Sequence, residues 1–170
     1  KITWIPSNDI LSLFKTYCKS ITDTFSVDNC KTSGCNVFNF GVVPTLDSLY
    51  EEKSNMYDEL EILRNYLTDL IKESIYLKNN EKDGYYFETT KKRASKLKNC
   101  FDKENKYDMV INTSTSQAKI RCPLATKLSN DLVIINQKIE SITQKIVTEK
   151  VVDWYNNYYD KVIYPVIDCM

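Results

Sequence analysis

The sequence contains no histidine, and this absence excludes the catalytic arrangements that depend on an imidazole base. Ser-His-Asp and Cys-His nucleophile pairs are ruled out, and a zinc site would need thiolate ligands alone. With only 3 glycines, the chain also lacks a glycine-rich loop of the kind that cradles a phosphate group. The sequence therefore predicts a protein that is not an enzyme and that uses no cofactor or metal.

Further shortages bear on the fold and on the partner. The 3 glycines and 4 prolines argue against a turn-rich sandwich or barrel. No apolar run approaches the roughly 18 residues of a membrane-spanning helix. Basic and acidic residues number 23 each, so no excess charge draws the 170-residue chain to nucleic acid or to an anionic membrane. We expect a single domain with no membrane span and no nucleic-acid partner.

Apolar residues recur every three or four positions along most of the chain, which predicts an all-α fold. Ser7 is a candidate N-cap for the first helix, and the leucines of the second follow a heptad-like pattern. The predicted helices cover 8–25, 46–78, 85–101 and 124–164, and the loops between them cover 26–44 and 102–122. The single domain over 1–170 is thus expected to be a disulfide-stabilised bundle of about four helices, two of them long.

The 6 cysteines form an even set that suits three disulfides. Cys100 and Cys122 flank one predicted loop, and their pairing would stabilise the fold by roughly 3 kcal/mol. Cys18 is expected to join Cys30 or Cys35, which leaves the other of these two for Cys169. Free buried thiols and an all-thiolate metal site are the alternatives.

Disulfides favour a secreted, extracellular protein. A start at Lys1 in place of Met fits the removal of a signal peptide, although an arbitrary chain boundary explains it equally well. Asn112-Thr113-Ser114 matches the N-glycosylation triplet, so Asn112 is the candidate glycan acceptor of a secreted glycoprotein.

The run KKRASKLK, residues 91–98, has two interpretations. It forms either an ordinary solvated helix face or a patch for phosphate, heparin or nucleic acid, and it lacks interleaved aromatic residues for base stacking. Within it, Arg93-Ala94-Ser95 resembles a basic-directed phosphorylation site, which would be idle in a secreted protein.

Two aromatic clusters supply candidate partner-binding residues, because tyrosine and tryptophan are favoured anchors at protein interfaces. The segment 151–166 holds more aromatic residues than one face of a helix can accommodate. Packing in the interior is the alternative for both clusters. The candidates are Trp154, Tyr155, Tyr158, Tyr159, Tyr85 and Tyr86.

The order Cys100…Tyr107…Cys122, and less closely Tyr17-Cys18…Cys30, resembles the cysteine–tyrosine–cysteine motifs of the aphid bicycle proteins. This resemblance implies a small secreted effector or salivary protein of an insect or parasite, delivered into a host and without catalytic activity. We therefore expect a secreted effector that engages a host or partner protein through helical and aromatic surface. The alternatives are a small-molecule carrier with an apolar pocket between helices, or a self-associating structural or surface protein.

Overall fold

The computed structural model describes residues 7–103 and 105–164. Within these ranges the chain forms four α-helices and one four-stranded antiparallel sheet. The helices are α1 (Asn8–Thr24), α2 (Pro44–Ile71), α3 (Lys91–Phe101) and α4 (Pro123–Tyr158), and the strands are β1 (Tyr76–Asn80), β2 (Gly84–Thr90), β3 (Val110–Thr113) and β4 (Gln117–Arg121). Because strands accompany the helices, the fold is mixed α and β, and the predicted all-α class is wrong.

The sheet lies in the part of the chain that the sequence analysis assigned to helix and loop. Its strand order is β1-β2-β4-β3, and each neighbouring pair is antiparallel. The β1–β2 hairpin reverses between Asn80 and Gly84, where Gly84 adopts a φ of +64° that suits glycine. The predicted helices 46–78 and 85–101 are therefore too long, because each runs into a strand of this hairpin.

An alternation of inward and outward side chains explains the strands. Phe87 of β2 pairs with Ile120 of β4 and with Leu77 of β1, and both Phe87 and Ile120 are fully buried. Their neighbours along the strands face the opposite side of the sheet, as the two-residue period of a strand requires. The same pairing of β3 with β4 replaces the predicted loop 102–122.

The first and last predicted helices agree closely with the structure in their bounds. Helix α1 covers nearly all of the predicted range 8–25, and Ser7 accepts a hydrogen bond from the Ile10 amide as its N-cap. The last predicted helix, 124–164, consists of α4 followed by a π-helical turn over Tyr159–Ile163.

The five cysteines that the structure describes are free thiols: Cys18, Cys30, Cys35, Cys100 and Cys122. The sulfurs of the pair proposed first have different neighbours, since Cys100 contacts the Leu70 carbonyl oxygen and Cys122 accepts from the Ala125 amide. The disulfide-stabilised fold is therefore wrong for the described residues. Cys169, the sixth candidate, lies outside them.

The chain divides into two compact units. Unit 1 consists of Lys1–Tyr50 and Lys138–Met170, and unit 2 consists of Glu51–Gln137. Each long helix, α2 and α4, contains one of the points of division. In the described part of the chain, no helix has both the length and the apolar character that crossing a membrane requires.

Unit 2 holds a core built from the inner side of the sheet, α3 and its portions of the two long helices. Apolar burial of this kind is the main favourable contribution to folding. The core members are Leu60, Leu63, Leu67, Ile75, Phe87, Leu97, Met109, Ile120, Cys122, Ala125, Leu128 and Leu132.

Unit 1 has an aromatic interior. The Phe25 ring stacks on Phe38 with centroids 5.1 Å apart and meets Trp154 edge-on at 5.7 Å. The Trp154 indole N–H donates to the Ser20 hydroxyl at 3.0 Å, which satisfies the polar atom of this buried residue.

Candidate functional site

Helix α3 carries a concentrated positive charge at its first turn. Lys91, Lys92 and Arg93 are its first three residues, and this turn contains no acidic residue. The free amide groups at the start of a helix already create positive potential, so cations in this turn are electrostatically unfavourable for the isolated helix. Three cations at a helix start reduce the stability of the helix, but together with the helix amides they create a positive potential that favours an anionic ligand.

The β3–β4 turn lies beside the start of α3. Thr90, the N-cap of α3, pairs with Gln117 at the start of β4, and the Lys91 amide donates to the Ser116 carbonyl oxygen at 3.4 Å. The Ser114 hydroxyl closes the turn by donating to the Gln117 carbonyl oxygen at 2.9 Å. The sheet register thereby holds a polar turn against the basic helix start.

Four exposed residues of this junction, Lys91, Lys92, Thr115 and Ser116, are named here the basic–hydroxyl end. Among the residues that the structure describes, the Thr115 and Ser116 hydroxyls have no hydrogen-bond partner, and neither lysine forms a salt bridge. Ammonium and hydroxyl groups are the donors with which proteins contact phosphate oxygens. The basic–hydroxyl end can therefore bind phosphate-like anions without first breaking an internal contact.

Two other cations of α3 are held by one acid. The Arg93 Nε donates to the Glu73 carboxylate at 2.7 Å, and Lys96 donates to the same carboxylate. The hydrogen bond from Lys96, followed by that from Arg93, lowers the pKa of Glu73 from its ordinary value. This network joins α3 to the segment after α2.

Asp83, in the β1–β2 turn, holds a second pair of cations. Its carboxylate accepts from the Lys119 Nζ at 2.5 Å and from Arg121, both on β4. The hydrogen bond from Lys119, and next that from Asn80, lowers the pKa of Asp83. Lys119 also lies over the Tyr86 ring, with its Nζ 4.3 Å from the ring centroid. Lys119 and Arg121 are therefore paired with Asp83 on the outer side of the sheet in unit 2.

The two tyrosines proposed as partner contacts in unit 2 are largely occupied. Tyr86 is 8% exposed under Lys119. The Tyr85 hydroxyl donates to the Tyr57 hydroxyl at 3.2 Å, and burial, helped by this contact, raises the pKa of Tyr85 to about 12. Tyr85 also borders a cleft of about 630 Å³ between the polar β1–β2 turn and α4. Both rings lie on strand β2, where a helix over 85–101 was predicted.

The unit 1 candidates divide into packed and exposed residues. Trp154 is 8% exposed, and Tyr158 packs against Tyr17 with centroids 5.2 Å apart. Tyr155 is 59% exposed and stacks on Tyr159 at 4.6 Å. Contact of Tyr155 and Tyr159 with a protein partner stays a prediction.

Asn112 is exposed, but it lies within strand β3 instead of the expected loop. Its glycosylation stays a prediction. No group of three or more acidic or cysteine side chains in residues 7–103 and 105–164 is arranged to hold a metal ion. The lysines of the basic–hydroxyl end belong to the basic run noted in the sequence, whereas Thr115 and Ser116 were not predicted as site residues. The available signal for them was a serine- and threonine-rich turn between apolar pairs.

A family model described as MutS family domain IV matches residues 41–122, just under half of the chain. The matched range includes the sheet, α3 and all four residues of the basic–hydroxyl end. No curated protein matches the sequence.

This match overturns several expectations. The chain is similar to a domain of a mismatch-repair type of protein, so the resemblance to aphid bicycle proteins and the secreted-effector function are wrong, as are the carrier and self-associating alternatives. The descriptions of the protein as salivary and as interacting with a host are wrong for the same reason. The match also conflicts with the expected absence of a nucleic-acid partner. The extracellular location stays a prediction, and the five described cysteines, as free thiols, do not support it.

Proposed function

We propose that the 41–122 part of this chain is a DNA-binding module related to mismatch repair, and that it contacts the DNA backbone through the basic–hydroxyl end. The observation that carries the proposal is the match of this range to the MutS family domain IV model.

The charge distribution supports contact with the DNA backbone. Although the whole chain is neutral, Lys91 and Lys92 project from one helix start with no acid bound to them in the described structure. A local cluster of free cations acts on a ligand within about 10 Å at moderate salt, so charges beyond that distance contribute little. Net charge averages over separated regions of the chain, so a neutral total does not argue against a local contact with DNA.

The chemistry of the surface further favours binding that ignores base sequence. Lysine ammonium groups and short hydroxyls reach phosphate oxygens, and contacts to phosphate carry no direct information on base sequence. The basic–hydroxyl end has no aromatic residue on which an unpaired base could stack. We propose that duplex DNA is held by its phosphates, with no catalysis and no cofactor at this surface.

A binding comparison tests the proposal. The affinity of the whole chain for a fluorescent DNA duplex of arbitrary sequence is measured by anisotropy, together with that of the double variant Lys91→Gln/Lys92→Gln. Each lost phosphate contact costs a factor of about eight at about 0.1 M salt, so the double variant should bind roughly 60-fold more weakly.

The matched control is Lys15→Gln/Lys31→Gln, which removes two exposed lysines from outside the matched range. We expect this control to bind DNA within about twofold of the unaltered chain, since long-range charge is screened. Equal losses in both double variants would mean that the chain attracts DNA only through its overall charge, and the proposed surface would be wrong.

A further inference from the structure

We propose that Ser95 of α3 is a phosphorylation site for a basic-directed serine/threonine protein kinase, and that its phosphate releases DNA from the basic–hydroxyl end. The regulatory half of this inference rests on the proposed function. The modification itself rests on the residues around Ser95 alone.

The sequence before Ser95 has the charge pattern that such kinases select. Lys91, Lys92 and Arg93 precede the serine by four, three and two positions, and Ala94 separates the cations from it. Kinases discriminate among substrates largely by charge patterns of this type. The motif was set aside only as part of the secreted-effector function, which the family match contradicts.

The structure presents the acceptor hydroxyl on the exposed side of α3. Ser95 is exposed, and its Oγ donates to the Lys91 carbonyl oxygen at 3.1 Å. A serine that bonds back to the preceding turn slightly weakens its helix, and the cations in the first turn weaken it further. A kinase binds its substrate as an extended segment, so the first turn of α3 must open before transfer. The two features above lower the free energy of that opening, whereas the burial of Ala94 raises it.

The transfer itself is an ordinary phosphoryl transfer from ATP. The Ser95 Oγ forms a bond to the γ-phosphorus, and the bond from that phosphorus to the oxygen bridging the β-phosphate breaks. ADP leaves with that oxygen, and the serine proton passes to the catalytic base of the kinase. No oxidant or reductant takes part.

Helix geometry determines what the new phosphate contacts. Residues three and four apart are neighbours on a helix surface, so phosphorylated Ser95 lies beside Lys92 and Lys91. The phosphate brings about −1.5 to −2 charges at neutral pH, enough to engage both ammonium groups. The phosphate on Ser95 thereby competes with DNA phosphates for the same two lysines, and its negative charge repels the DNA backbone.

The experiment treats the whole chain with ATP, Mg²⁺ and a basic-directed kinase, and locates the phosphate by mass spectrometry. The modified and unmodified chains are then compared in binding to the DNA duplex over a series of salt concentrations. We expect phosphate on Ser95, an affinity at least about tenfold lower, and a log–log salt slope reduced by about two.

The control variant Ser95→Ala should bind DNA like the unmodified chain and show no change after kinase treatment. Absence of phosphate from Ser95, or unchanged DNA affinity at full modification, would overturn the inference. If the unmodified chain does not bind DNA, the proposed function and the regulatory half fail together, while the mass measurement still decides whether Ser95 is a kinase site.

Discussion

Two groups of cations in unit 2 differ in what surrounds them. Arg93 and Lys96 share the carboxylate of Glu73, and a second acid, Asp83, holds two cations of β4. The basic–hydroxyl end instead presents Lys91 and Lys92 with no acid against them in the described structure. The paired cations join one segment of the fold to another, whereas the side chains of Lys91 and Lys92 make no such connection in the described structure.

This contrast separates charge that maintains the fold from charge that is available to a ligand. A cation in a hydrogen-bonded ion pair must lose that partner before it meets a phosphate. A free lysine loses only water and some conformational freedom. Altering the paired group should therefore reduce stability, and altering the free group should reduce binding.

The largest expected loss of stability follows Gly84→Ala, which disturbs the turn that carries Asp83. Gly84 has a φ of +64°, and an added Cβ would lie 2.7 Å from the Ser129 Cβ. Strained backbone and overpacking together should lower the free energy of unfolding by about 2–4 kcal/mol. Urea denaturation measures the loss.

Gly34→Ala is the matched control for that change. Gly34 also has a positive φ, +85°, but an added Cβ would have no atom within 4 Å. It should cost only the backbone term of about 1–2 kcal/mol. If both variants lose equal stability, the close approach of Gly84 to Ser129 contributes nothing.

Asp83→Asn removes the acid from its two cations and should destabilise the chain at neutral pH. The folded state lowers the pKa of Asp83, so its contribution is present above the unfolded pKa of about 3.9 and is lost as pH falls through the folded pKa. Unfolding measured from neutral to acid pH should show the two proteins converging below about pH 4. A constant difference at every pH would show that the carboxylate charge is not responsible.

The double variant Lys91→Gln/Lys92→Gln should have the opposite effect on stability. Removal of two cations from the first turn of α3 relieves their repulsion by the helix dipole, so the free energy of unfolding should rise by about 0.6–2 kcal/mol. Thermal and urea unfolding test the sign. A destabilised double variant would mean that these lysines support the fold, and the contrast between the groups would be lost.

The smallest effect is expected from Lys98→Gln. Lys98 is exposed but lies in the last turn of α3, away from the β3–β4 turn that meets the start of the helix. DNA affinity should fall by less than about threefold, and stability by about 0.3–1 kcal/mol because a cation near the helix end is lost. A loss of DNA affinity as large as that of the double variant would move the binding surface along α3.

The sequence predicted the helical parts of the fold better than the sheet. The stripe of α4 is long and regular, whereas β1 and β2 contain five and seven residues next to helical leucine patterns. The turn residues Asp83-Gly84 and the inward alternation of Tyr85, Phe87 and Thr89 were the local signals for a hairpin. Strand pairing joins residues that are distant in sequence, so the pairing of β2 with β4 could not be derived from the sequence of either strand alone.

The candidate site was visible in part. The positive charge of the run 91–98 is visible in the sequence, but the one acid that binds Arg93 and Lys96 is Glu73, outside the helix. Which lysines stay free, and that Ser116 lies against Lys91, depends on tertiary contacts. The disulfide prediction is wrong for the described cysteines because an even number of thiols permits disulfides without requiring them.

The most direct test is the salt dependence of duplex DNA binding by the whole chain and by Lys91→Gln/Lys92→Gln. Each released counterion contributes about 0.9 to the slope of log affinity against log salt, so the two slopes should differ by about 1.8. Parallel lines for the two proteins, or no measurable binding by the unaltered chain at low salt, would contradict the claim that Lys91 and Lys92 hold the DNA backbone.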